Sequence, residues 1–184
     1  MKNTEKNTVY IQDKASTIFD IMKGEFAYTN KMQAPKIVKV IVSSATGSVK
    51  DPKKKTLIGN RLALITGQKP AEKAAKKSIA TFKVREGDAV GYQVTLRGPR
   101  MNDFLNKVVN IALPRTRDFR GLNADSIDEM GNFNFGIKEH TVFPETADEE
   151  LKDVFGMGIT VVTTSKDKAE TRVFLEHLGF LFKK

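Results

Sequence analysis

The sequence predicts an α+β protein: a mostly antiparallel sheet with helices packed on one face and a basic loop protruding from it. Three observations carry that expectation. Segments with apolar residues at helical spacing alternate with β-branched runs, without the regular rhythm of strand, crossover helix and parallel strand. The stretch 67–100 reads as a hairpin, with alternating segments on either side of Glu86-Gly87-Asp88. The chain has 184 residues, 40% of them hydrophobic, enough for one well-cored domain, and it shows no internal repeat or low-complexity tract.

The elements follow in order. The first dozen residues are polar and expected to be mobile. From Asp13, the residues Ala15, Ile18, Phe19 and Met22 recur at helical spacing, and Gly24 is the expected stop. Pro35 precedes an interior strand in which Val38, Val40 and Val42 share one face and Ile37, Lys39 and Ile41 the other. Asp51 reads as an N-cap and Pro52 as the first helical residue. That helix buries Ile58, Leu62 and Ile65, flanked by Leu57 and Leu64, and closes at Gly67. Lys53, Lys54 and Lys55 oppose the helix dipole in its first turn, at about 0.3 kcal/mol each or more. Their placement hints at an anion approaching this end.

The hairpin strands are expected at 79–85 and 92–97. Gly98-Pro99 opens a helix burying Met101, Phe104, Leu105, Val108 and Ala112, with Pro114 ending it. A basic loop follows over 115–122, then a short helix and a turn within 124–136, and a short strand over 137–143 before Pro144. The β-branched run 158–164 reads as a buried strand. Asp167 and Glu170 have the spacing of a capping box for a last helix carrying Val173, Phe174 and Leu178 and closed by Gly179.

Charge narrows the function classes. Residues 1–120 hold 24 Lys and Arg against 10 Asp and Glu, while residues 121–184 hold 7 against 12. The asymmetry suits a polyanion facing the first two thirds with the last third turned away, the alternative being an ordinary basic surface with a chance imbalance. No apolar run approaches the roughly 18 residues of a membrane span, and the N-terminus lacks an apolar signal core, so no membrane partner and a cytoplasmic location are expected. With no cysteine, disulfides, thiolate zinc sites and cysteine nucleophiles are excluded.

Catalytic chemistry is not visible either. His140 and His177 fall in no metal-binding spacing; His140 reads as a surface strand residue and His177 as a favourable charge near a helix end. The stretch 47–56 lacks the glycine that a phosphate-binding loop places before lysine and threonine, and no serine elbow is present. The acidic run at 148–150 reads as a solvated helix start. No catalytic residue, metal or cofactor is expected.

What remains is a set of basic groups with rings among them: Lys69, Lys76, Lys77, Phe82, Lys83, Arg85, Tyr92 and Arg97, then Arg115, Arg117, Phe119 and Arg120. Arginine forks and lysine point charges bind phosphates. Strand residues such as Gln93 and Thr95 can reach 2′-hydroxyls and base edges. Phe82 and Phe119 fit either a core or a nucleic-acid surface. On residues alone, three readings stay open: a specific RNA binder, a general RNA-binding module held by charge, and a nucleotide-using enzyme.

The strings TGQKP (66–70), KKSIATFKVREG (76–87), VTLRG (94–98), PRTRDFRGL (114–122), GNFNFGIKEH (131–140), FPE (143–145) and GMGITVVTT (156–164) resemble the bacterial-type large-subunit ribosomal protein number five family, in the right order. The resemblance implies a single ribosomal RNA-binding domain over 1–184 with a short flexible N-terminus. It implies a structural constituent of the large subunit that anchors 5S rRNA in the central protuberance beside 23S rRNA and other central-protuberance proteins. It further implies a contact with P-site tRNA and a bridge to a protein of the small-subunit head. Carried over by position, Gln68 and Thr95 match polar 5S rRNA contacts, with Lys69 and Arg97 beside them. Ser43 stands where the family has asparagine, and the following residues 44–47 also depart from the family pattern. Lys73, Lys76, Lys77 and Ser78 match the loop that approaches tRNA, and Arg115, Arg117 and Arg120 supply further RNA contacts. Gly158 stands where an aspartate is common.

Overall fold

The computed structural model describes residues 10–49, 51–147 and 153–183. Helix α1 (Ile11–Phe26) leads to strand β1 (Ile37–Ala45), helix α2 (Pro52–Thr66), and strands β2 (Ala71–Ala74) and β3 (Ala89–Leu96). Helix α3 (Gly98–Lys107) continues through a π-helical turn at Val108–Ala112 into a short α4 (Leu113–Arg115). Strands β4 (Phe133–Ile137) and β5 (Met157–Thr163) and helix α5 (Lys168–Leu178) complete the chain. The strands form one open sheet in the order β2-β3-β1-β5-β4, with every neighbouring pair antiparallel.

Alternation along the strands divides the sheet into a buried and an open face. Val40, Val42, Val94, Leu96, Ile159, Val161 and Phe133 are buried with Met22 of α1, Ile58 and Leu62 of α2, Phe104 of α3 and Phe174 of α5. One core therefore lies between the sheet and the helices, as the α+β reading expects. Capping signals position the helix most relevant to the open face. Asp51 accepts a bond from the Lys53 amide at 2.9 Å, Pro52 takes the first helical position, and Gly67 turns left-handed at φ 67° to release the chain towards β2.

The structure corrects several expectations. Gly24 does not stop α1, which runs to Phe26 and closes at Ala27 in the left-handed region. A bulge between Ile37 and Lys39 takes Val38 off the buried face, leaving it 44% exposed. The strand that precedes β3 and pairs with it is Ala71–Ala74; residues 79–85 contribute only the isolated pair Ile79 and Val84 around a 3-10 turn. Pro114 does not end the third helix: it takes an early position of α4 after the π turn, where its missing N–H is tolerated. The strand expected over 137–143 lies at Phe133–Ile137, inside the segment read as helix and turn, and His140–Val142 is a 3-10 turn.

His140 is not on the surface. It is fully buried, stacked on Phe155 with centroids 4.0 Å apart, and its Nδ1 accepts from the Phe155 amide at 3.3 Å. Asp167 makes no side-chain cap. The Glu170 half of the expected box is present in another form: its carboxylate accepts from the Lys166 amide at 2.8 Å, from Ser165 Oγ at 2.6 Å and from the Tyr28 hydroxyl. His177 Nε2 bonds the Lys14 carbonyl at 2.9 Å and Thr17 at 3.1 Å, which ties α5 to α1. The acidic run at 148–150 and the first nine residues lie outside the described residues.

Candidate nucleic-acid interface

Register brings the polar residues of the open face into rows. Ser43 of β1 sits between Gln93 of β3 and Gly158 of β5, and Gly158 is opposite Gly136 of β4. One row over, Ile41 sits between Thr95 and Thr160, and Thr160 Oγ1 donates to Asn134 Oδ1 at 2.6 Å. Two glycines in the first row leave Ser43 little to pack against, and it is exposed. Gln68 arrives from outside the sheet, because Gly67 redirects the chain there, and its Nε2 donates to the Thr95 carbonyl at 3.4 Å. Ser43, Gln68 and Thr95, singled out separately in the sequence, thus share one polar patch.

Lys69 follows Gln68 and is exposed. Arg97 continues the extended backbone of β3 at φ −143° and ψ 160°, which keeps it in the alternation of Gln93 and Thr95, and it is exposed. Lys73 lies within β2, opposite Gly91, and Lys76, Lys77 and Ser78 follow in the protruding loop. Ser78 is committed to that loop: its Oγ accepts from the Glu86 amide at 2.9 Å.

Arg115, Arg117 and Arg120 lie apart from this patch, at the end of α4 and in the segment after it. Arg117 and Arg120 line a cleft of about 560 Å³ together with Gly136, Lys138 and Lys183, beside the opposite edge strand. The basic groups therefore occupy both sheet edges as well as the patch between them. Among the described residues, none of Lys69, Lys73, Lys76, Lys77, Arg97, Arg115, Arg117 and Arg120 has an ion-pair partner within 4.0 Å. Their charge is available to a ligand.

Other sequence signals resolve differently. Tyr92 belongs to the helix side: a side chain at Gly59 of α2 would start 3.3 Å from its ring. Burial, with Glu72 nearby, raises its phenol above the ordinary value. Phe119 is half-buried against the core, whereas Phe82 is 73% exposed. The lysines at the start of α2 are partly engaged within the protein, with Lys55 donating to the Ala89 carbonyl at 3.1 Å and Lys54 lying 3.9 Å from Asp153. Thr160, Asn134 and Gly136 were missed as members of the face. The period-two pattern FNFGI carried the signal for the last two. Among the described residues no group of three His, Asp or Glu side chains is placed to hold a metal ion.

An open antiparallel sheet with one helical layer, a polar free face and unpaired cations at its edges has the form of a nucleic-acid-binding scaffold. Comparison with known proteins gives the particular family. Residues 30–85 match the family model of ribosomal protein L5, and residues 89–182 match the model of the same family's C-terminus. The chain is 49% identical over 163 residues to the large ribosomal subunit protein uL5 of Bifidobacterium adolescentis, covering 88% of this chain and 86% of the relative. It is 48% identical to that of Ureaplasma urealyticum over 89% of each chain, and 46% identical to that of Fervidobacterium nodosum over 91% of each. The chain belongs to the ribosomal protein L5 family, whose members are structural, non-enzymatic components of the ribosome.

Proposed function

We propose that this protein is a cytoplasmic structural constituent of the large ribosomal subunit that binds 5S rRNA through the open sheet face. The observation that carries the reading is the convergence of exposed Ser43 with half-buried Gln68 and Thr95 on the open sheet face, with Gln68 bonded to the Thr95 backbone. The binding acts by rigid presentation: strand pairing holds the hydroxyls and amides, while Lys69 and Arg97 neutralise phosphates beside them. The chain functions as one domain, since β1 and β3, which carry the patch, come from the two separately matched segments and pair directly.

The same reading gives the other basic regions their roles. Lys73, Lys76, Lys77 and Ser78 meet P-site tRNA. Arg115, Arg117 and Arg120 contact further RNA, including 23S rRNA in the central protuberance. The acidic last third faces a basic protein of the small-subunit head. The test is 5S rRNA affinity of Thr95→Val and Gln68→Ala against Lys23→Ala on the helical side. Each patch variant is expected to lose about 1–3 kcal/mol, the cost of leaving a polar partner unpaired, and Lys23→Ala to bind like wild type. Equal affinity for all three variants would falsify the placement of the site.

A further inference from the structure

We propose that the groove beneath the protruding loop is a stacking site for an unpaired RNA base, with Phe82 as its ring platform; this rests on the reading of the loop as an RNA contact. Phe82 is 73% and Ile79 46% exposed, so the core uses neither in full. Ile79 and Val84 exchange backbone bonds, N–H to carbonyl, at 3.0 and 3.3 Å. That pairing closes a small loop around the 3-10 turn Ala80–Phe82, with Lys83 left-handed at φ 52°. Ile79, Phe82, Val84 and Val90 line a groove of about 670 Å³, and Lys76 and Lys77 line it with them.

The combination selects the occupant. An apolar surface with two exposed ammonium groups suits a molecule that carries a flat unstacked face and anions next to it. A single-stranded or looped RNA segment supplies both, a base for the ring and flanking phosphates for the lysines. Base-paired RNA hides its ring faces and meets only the charges. The carboxylate of Asp88 does not oppose this, because it is turned back to accept from the Arg85 amide at 2.8 Å. The platform is also braced before binding. Ala75 donates to the Asp88 carbonyl at 2.8 Å, Gly87 donates to the Ala75 carbonyl at 3.0 Å, and Glu86 donates to Ser78. Little ordering of the loop is then required when a ligand arrives.

The test uses the full chain and two RNA hairpins with identical stems and equal charge, one with an ordinary unpaired loop and one whose loop nucleotides are abasic. Wild type is expected to prefer the loop with bases. Phe82→Ala is expected to lose about fivefold or more on that probe, the scale of one base–aromatic stack, and to bind the abasic probe unchanged. Lys76→Gln with Lys77→Gln should weaken both probes. The protein has no tryptophan, so Phe82→Trp adds a single reporter. Its emission should change with the base-containing probe alone, and its affinity should match wild type. If the lysine variants weaken binding while Phe82→Ala matches wild type on both probes, the stacking site is refuted and the RNA reading of the loop stands. If neither set changes binding, both fall. Concentration-dependent self-association of wild type, lost in Phe82→Ala without any change in RNA affinity, would assign the groove to a second copy of the chain and overturn the proposal.

Discussion

Ser43 lies directly opposite Gly158 across β1 and β5, its Oγ 3.4 Å from the point at which a side chain on Gly158 would begin. That spacing is ordinary van der Waals contact, so the glycine is not demanded by packing. Gly158→Ala should therefore fold, and should gain about 0.5 kcal/mol from reduced freedom of the unfolded chain. Gly91 of β3, opposite Ala45, provides the contrast. A Cβ there would stand 2.9 Å from the Ser44 carbonyl oxygen, which is backbone and cannot move alone. Gly91→Ala should cost about 1–3 kcal/mol through overpacking. Urea unfolding of the two variants checks both signs.

Neutralising Lys73, Lys76 and Lys77 to glutamine should leave 5S rRNA binding largely intact, because the loop leaves the sheet beyond the Gly91 end while the patch centres on Ser43 and Thr95. Affinity for a looped RNA hairpin should fall, and the slope of log K against log salt should flatten by about 0.7 for each lost phosphate contact. A collapse of 5S rRNA binding in the triple variant would move the loop into the anchor.

Glu170 gives the fold a defined acid sensitivity. Burial alone would raise its pKa, but bonds from Ser165, Tyr28 and the backbone at 166 and 167 outweigh that and hold it below the ordinary carboxylate value. A lowered folded-state value means that its stabilisation is present above the unfolded pKa of about 4.3 and is lost as pH falls through the folded value. Glu170→Gln should be less stable at neutral pH by about 1–3 kcal/mol. Its stability should also depend less on pH in the acid range, as denaturant midpoints across that range would show.

Tyr28 reports the same contact from the alkaline side. Burial first, then its bond to Glu170, raises its phenol well above the ordinary value. Its contribution is complete below the unfolded value of about 10 and fades as pH rises through the folded one. Spectroscopic titration should therefore show Tyr28 as the most resistant tyrosine of the folded protein, with Tyr92 also raised, and Tyr28→Phe should remove that most resistant component.

The parts legible in the sequence were those governed by local physics. Asp51-Pro52 and Gly67 delimited α2 because capping acts within a few residues. The run GITVVTT marked β5 because a strand covered on both sides by other strands keeps β-branched residues. What escaped depends on partners far along the chain. AEKA has little strand preference of its own, and β2 exists because β3 pairs with it. FNFGI does alternate, but its asparagine and glycine resemble a turn until β5 lies beside it. His140 looked like a surface residue because its stacking partner, Phe155, is distant in sequence. Within the site, charge located the protruding loop, but only registry could show that Ser43 and Thr95 share a face, and only the turn at Gly67 delivers Gln68 to it.

The strand order carries a consequence for the protein's synthesis. Among the described strands β1 comes first, yet one of its two neighbours, β5, comes last and ends at Thr163. Until that segment has emerged, β1 keeps one full edge unpaired and its buried side lacks Ile159 and Val161. A chain interrupted before this point holds Ser43 on an open margin instead of in the middle of a sheet. Synthesis past Thr163 is thus a condition for holding Ser43, Gln93 and Thr95 within a sheet paired on both sides of β1.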